Sequence, residues 1–364
     1  MIKKDNIHFT GLHMNSYNAT WNAIWSTRET GKTTVWANNA YKRWKKEQAT
    51  TIVLRYLIND ITDTYINDLE TVINDFLSDE EQIKFSFKKG SIKEGVVDVF
   101  IKDNEDIPLF RFIAISNPIS KIKSMKLKNA AQIIFDEFIL NVRAGEKYVD
   151  SLVIRFKEIY NTYLRCCKTG KKFKVFCFGN PYSKYHPLLA EWNVPFGLLK
   201  EGDFYYNKDT DVYVEAYKMK PELRELILKR NPLYKFDNSY TDYAFNGESI
   251  NDTNFTIVEN QPQNYYIKYI FRIQNKYLFI YKCNIQEYHS GYDTGRYWIT
   301  CSEKYNGTKN VYSVDLNNLI NGSQLLTADL KSIFWSLKNS IAQRQVTFSS
   351  IEAGYLIEAL YSFI

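Results

Sequence analysis

Near its start the chain passes from a short apolar run straight through Gly31-Lys32-Thr33 into a helical pattern, and no other stretch restricts the fold as strongly. Trp21, Asn22, Ala23, Ile24 and Trp25 read as a buried strand, while Trp36, Ala37, Ala40, Tyr41 and Trp44 recur at helical spacing across 33–47. A strand that turns directly into a helix aims the backbone N–H groups of the turn at one point, where an anion is stabilised. The candidate cradle is Ser26, Thr27, Arg28, Glu29, Thr30, Gly31, Lys32, Thr33 and Thr34. Lys32 adds a point charge for phosphate, and Thr33 offers magnesium a hydroxyl. The pattern G-x-x-x-x-G-K-[ST] is met except at its first position, where Ser26 stands in place of glycine.

A nucleotide-hydrolysing site also needs a metal held between phosphates and a base for the attacking water. Residues 131–138 read AQIIFDEF, an apolar strand that ends in paired acids. Asp136 suits the magnesium shell and Glu137 the water; the plainer reading is a strand end that caps the next turn. Asn180 follows the strand 175–178 and falls at the same carboxyl edge of a parallel sheet as Lys32 and Asp136, a position from which it can report the γ-phosphate. An Asn before Pro181 also simply opens a turn. Arg165 ends a helix over 150–167 and precedes Lys168, Lys171, Lys172 and Lys174. It is either a finger donated across a subunit boundary or a cation satisfying a helix dipole.

Strands at 50–56, 109–116, 131–138 and 175–178 alternate with helices at 60–81 and 150–167, and 83–88 with 96–102 reads as an edge hairpin. This order implies a three-layer α/β fold with a mostly parallel sheet. Lys121, Lys123, Lys126 and Lys128 fall between two of these strands, in an expected loop that either tracks nucleic-acid phosphates or is merely solvated. The pattern becomes mixed and charged over 195–252, apart from a helix at 221–230, and reads as a linker or lid subdomain. Strands at 265–272, 277–284, 296–301 and 311–315 and helices at 328–343 and 350–362 then describe a separate α+β domain. Expected boundaries are 1–200, 201–252 and 253–364. The hairpin 265–284 carries Lys268, Arg272, Lys276 and Lys282 but no acid, which points to nucleic-acid binding without cleavage, the plainer reading being a structural domain.

Composition narrows the class. Hydrophobic residues at 45% and charged residues at 24% describe a globular protein, and a net charge of +6 places any nucleic-acid contact in local clusters. Five cysteines, two of them adjacent, lack metal-ligand spacing and are expected to be reduced thiols; the four histidines form no zinc motif. No apolar run is long enough to span a bilayer, and Met1 to Asn6 shows no signal-peptide core, so cytosolic work without a membrane partner is expected.

Ser26 to Thr33, the block Ile133-Ile134-Phe135-Asp136-Glu137-Phe138-Ile139, Arg165 and the strand closing in Gly179-Asn180 together resemble the DNA-packaging ATPases of small tailed phages, the phi-29 type. Those are additional-strand, catalytic-glutamate ring ATPases related to the large terminases. The resemblance implies ATP and magnesium at Lys32, Thr33 and Asp136, Glu137 as catalytic base, Arg165 as trans-acting finger and Asn180 as coupling residue. It also implies a second domain like RNase H without its nuclease site. The expected partners are double-stranded DNA, further copies in a homo-oligomeric ring (a pentamer in that family), the viral portal or procapsid, and a structural RNA. Work would take place in host cytoplasm and transiently at the portal vertex. Ser26 departs from the family's glycine and Gly179 from its usual Ser or Thr. A nucleotide-gated nucleic-acid clamp and a helicase-like ATPase are the alternatives.

Overall fold

Continuous β-branched and aromatic runs bury both faces of the central strands and so select a parallel sheet covered on two sides. The structure is a computed structural model that describes residues 7–88, 93–124, 127–141, 146, 148–149, 151–183, 186–192, 194, 199–236, 241–247, 256–273, 276–283, 296–313, 319–320, 322–325, 337, 340 and 345–361. The chain forms two compact units, one of residues 1–184 with 198–250 and one of 185–197 with 251–364.

The first unit is built on β1 (Trp21–Trp25), β2 (Thr50–Arg55), β3 (Phe85–Ser86), β4 (Val96–Ile101), β5 (Phe110–Ala114), β6 (Ala130–Asp136), β7 (Lys174–Gly179), β8 (Phe204–Asn207) and β9 (Val212–Ala216). They form a nine-stranded sheet in the order β3-β4-β5-β2-β6-β7-β1-β9-β8. The strands from β5 to β9 in that order are all parallel, and antiparallel pairs close both edges.

Helices α1 (Leu12–Tyr17), α2 (Lys32–Glu47) and α3 (Asp63–Asn74) share one core with one face of this sheet, where Trp36, Ala40 and Trp44 meet Ile24, Val53, Phe110, Ile134 and Phe178. Alternation sends the next residue of each strand to the other face. There Phe135 and Trp21 pack against Phe156 of α5 (Leu152–Leu164), with ring centroids 6.3 and 6.1 Å away. A short α4 (Ile119–Ser124) precedes β6. This is the expected three-layer arrangement.

Two expectations change. The helix expected over 60–81 is confined to α3, because Thr62 Oγ1 accepts the Tyr65 N–H (3.1 Å) at its start. At its end the Asn74 amide turns to the Ile83 backbone in both directions, each at 2.9 Å. Of the segment expected as a separate subdomain over 201–252, residues 201–250 group with the first unit. Val212, Tyr213 and Val214 are buried, and β9 pairs with β1 from Trp21↔Val212 to Trp25↔Ala216, so this stretch completes the sheet.

The second unit contains α6 (Pro187–Glu191), β10 (Thr256–Ile257), β11 (Tyr265–Ile273), β12 (Lys276–Cys283), β13 (Tyr297–Ser302), β14 (Val311–Ser313), β15 (Ser323–Leu325), β16 (Val346–Phe348) and α8 (Ile351–Tyr361); α7 (Pro221–Arg230) belongs to the first. Its sheet runs β10-β16-β13-β12-β11-β14-β15. β11, β12 and β13 form an antiparallel meander, with β14 added parallel to β11 and β15 parallel to β14. The helix expected over 328–343 falls almost wholly outside the described residues. Lys276 is engaged by Glu352, and Arg272 lies over the Tyr277 ring at 4.6 Å. Among the described residues no helix is long and apolar enough to cross a membrane.

Phe135 is fully buried near the carboxyl end of β6. Phe135→Ala is expected to cost about 3–5 kcal/mol, read as a lowered midpoint in chemical denaturation with an unchanged slope.

Candidate functional site

Register brings the chemistry to one edge. Trp25 at the end of β1 lies opposite Gly179 at the end of β7, Phe178 lies opposite Asp136 at the end of β6, and Phe135 lies opposite Leu54, one residue before the end of β2. Neighbouring strands are ~4.8 Å apart, so the residues that leave these four strands emerge side by side.

The loop after β1 closes on itself. Glu29 (φ 60°) and Gly31 (φ 90°) take the left-handed backbone that starts α2, whereas Ser26 does not, so its position has no conformational need for glycine. Ser26 instead supplies a hydroxyl. Lys32 Nζ donates to Ser26 Oγ (2.8 Å), Ser26 O (3.0 Å) and Thr27 O (3.0 Å), and lies 3.5 Å from Asn180 Oδ1. Ser26 Oγ is also 2.7 Å from Thr30 Oγ1. Lys32 as a residue is only half-buried, but its ammonium is enclosed by these groups, and burial draws its pKa down to about 7 against the pull of Asp136 and Glu137.

Asp136 is buried, accepts the Tyr65 hydroxyl (2.5 Å) and lies 3.4 Å from Arg55 Nη1. Burial raises its pKa, and Arg55 and Tyr65 hold it down. Glu137 adopts φ 54°, a left-handed conformation that costs a non-glycine residue about 1 kcal/mol or more. That turn carries its side chain outward, where it is 60% exposed and accepts Arg55 Nη2 at 2.6 Å. Arg55, 12% exposed, lies over the Tyr65 ring at 4.8 Å. Burial opposes its charge, yet Tyr65, Glu137 and Asp136 raise its pKa.

Arg55 and Tyr65 are the functional candidates that sequence reasoning missed. The available signal was a basic residue ending the apolar strand beside the one that ends in Asp136. The stretch after β9 also reaches the loop: Arg28 N–H donates to Ala244 O (3.0 Å), Glu29 pairs with Arg230, and Tyr234 OH lies 3.4 Å from Glu29 Oε1. Arg28 itself donates to Tyr182 OH at 3.0 Å.

Gly179 has a packing reason. A Cβ there would stand 3.1 Å from the Phe138 ring and from Ile139 Cγ1, so the aromatic that follows Glu137 occupies the space a Ser or Thr would need.

Other expected residues lie elsewhere. Arg165 is exposed at the carboxyl end of α5, with Nε donating to Asn161 O at 3.0 Å, and its neighbour Cys166 bonds the first residue of β6. It is therefore at the amino edge, ~20 Å of strand away from Glu137 of its own chain. The first part of the lysine segment is helical. Lys121 and Lys123 sit on α4, whose Ile122 is buried, and they pair with Glu94 (3.6 Å) and Glu158 (2.6 Å). Lys128 is exposed, and Lys126 lies outside the described residues.

No protein-family model matches the chain, and neither does any curated protein. Solved structures do. The phi-28 gp11 DNA packaging motor is similar over 99% of this chain and 98% of its own, with a TM-score of 0.63 at 16% identity. The chain shares the fold of that structure. The bacteriophage phi-29 viral genome packaging motor assembly is likewise similar, with a TM-score of 0.60 at 14% identity over 98% of this chain and all of its own.

Gly179→Ser is expected to destabilise the fold by about 1–3 kcal/mol through overpacking. Combining it with Phe138→Leu should recover part of that loss, a non-additivity measurable by denaturation of the two single variants and the pair.

Proposed function

We propose that the chain is an ATP-hydrolysing motor that drives double-stranded viral DNA into a preformed capsid. The observation that carries this reading is the convergence of Lys32, Asp136, Glu137 and Asn180 at one carboxyl edge, within a fold similar along its whole length to phage packaging motors.

The donor set fits magnesium. Thr33 offers a hydroxyl at the start of α2, and Asp136 is a buried carboxyl whose ionised form is favoured by a neighbouring cation. Bound with ATP, magnesium would neutralise phosphate charge. Lys32 exchanges its acceptors on Ser26 and Thr27 for phosphate oxygens, a change that also favours its ammonium form. Glu137 leaves Arg55 and takes a proton from the water whose oxygen bonds the γ-phosphorus. The bond to the bridging oxygen breaks, and ADP carries away that electron pair. Asn180, beside Lys32, registers whether the γ-phosphate is present. Because Arg165 is at the far edge of its own sheet, its role belongs to the next site in a ring: Arg165 of the partner subunit neutralises charge on the transferred group.

In this proposal several copies form the ring, five by family resemblance. The ring works at a capsid portal in host cytoplasm, with a structural RNA as a further partner. The RNase H-like unit binds DNA without cutting it, and the basic run from Lys121 to Lys128 contributes phosphate contacts through its exposed members. A nucleotide-gated clamp without turnover is the second reading, favoured by Lys32 folded onto its own loop and Glu137 tied to Arg55.

ATP turnover measured with and without duplex DNA separates the two: stimulation is expected, and its absence alongside intact ATP binding supports the clamp. Glu137→Gln should lower turnover by about 10³-fold while ATP binding persists; unchanged turnover removes Glu137 as the base. Arg165→Ala should lose activity alone and regain part of it when mixed with Glu137→Gln subunits, because each variant supplies what the other lacks.

A further inference from the structure

Between α1 and α2 the parallel sheet is left partly uncovered. The six-residue α1 is too short to close over β7, and the gap forms a half-open cavity of about 470 Å³. This is within the range of sites that take small molecules. Its lining on α2 runs from Val35 to Glu47 and on β7 begins at Lys174, so it extends toward the amino edge, away from the loop at Ser26.

The lining is chemically divided. Phe176 and Phe178 of β7 form the floor, side by side with centroids 6.5 Å apart and planes 12° from parallel. Trp36 lines the wall, and its indole N–H is buried without a hydrogen-bond partner.

Cations gather at one end. Lys172 is satisfied by Asp211 (2.5 Å) and Asn18 O (2.8 Å), and Arg43 by Glu47 (2.9 Å) and Gln132 (3.0 Å). Lys174 makes no ion pair among the described residues. Partial burial, with Lys172 and Arg43 nearby, lowers its pKa.

We propose that this cavity binds a planar aromatic molecule bearing an anionic group, with the size and chemistry of a nucleoside monophosphate. The ring rests on Phe176 and Phe178, and the anion pairs with Lys174. The site is separate from the one at the carboxyl edge and does not depend on its assignment.

The test is calorimetric titration of the full chain with AMP, adenosine and inorganic phosphate. All arms use a Lys32→Ala background that removes the phosphate-loop ammonium. AMP is expected to bind, and Lys174→Met, which keeps the apolar stem, should weaken it by at least about tenfold. Adenosine should bind more weakly and ignore Lys174→Met, and phosphate alone should not bind at the same concentrations. Asn39→Trp, at an exposed position on α2, fills the cavity mouth without touching the sheet and should abolish AMP binding, so the test survives if Lys174→Met fails to fold. The proposal is overturned if AMP does not bind, if its binding is indifferent to both substitutions, or if phosphate binds as tightly as AMP.

Discussion

The register of four parallel strands is the constraint on which the candidate site depends. β1, β7, β6 and β2 are buried on both faces, so a slip of one residue would turn each apolar set to the wrong layer. With the strands locked, Trp25, Gly179, Asp136 and Arg55 finish within one residue of the same level, and the residues that follow are brought together without any long connection. The chemistry sits where the ladder ends because backbone and side chains there are released from pairing.

Within that edge, ionic groups satisfy one another. Lys32 is held by the carbonyls and hydroxyl of its own loop, and Glu137 by Arg55, which also lies beside Asp136. Buried charges need such partners. In the proposed reading, a nucleotide entering the site would exchange existing contacts for new ones, which would couple occupancy to the freedom of Glu137. The left-handed backbone at Glu137 fits this picture, since a strained residue at a strand end is maintained by the packing of Phe138 and Ile139 behind it.

Serine at the first loop position and glycine at 179 both depart from the phage-ATPase pattern, and both have local causes. Ser26 needs no positive φ and gives Lys32 an acceptor, while Gly179 yields its side-chain space to Phe138. The two positions also touch, because Ser26 N–H donates to Gly179 O at 3.2 Å.

Read as a string, the chain was sufficient for the strand-loop-helix around Lys32, the acids ending β6, the parallel α/β order and the basic hairpin of the second unit. Each of these is written in local periodicity or in adjacent residues. Arg55, Tyr65 and the contacts of Arg230 and Tyr234 with the loop were not legible, because they join residues far apart in sequence through strand register and helix packing. The same cause joined 201–250 to the unit of the main sheet and set Lys121 and Lys123 on a helix with paired charges. Sequence by itself determined which chemical groups the protein carries and which elements present them, since side-chain type and spacing are local properties. Only the tertiary structure decided which of those groups meet, which are already engaged and where a cavity is left, because those outcomes depend on how separate elements pack.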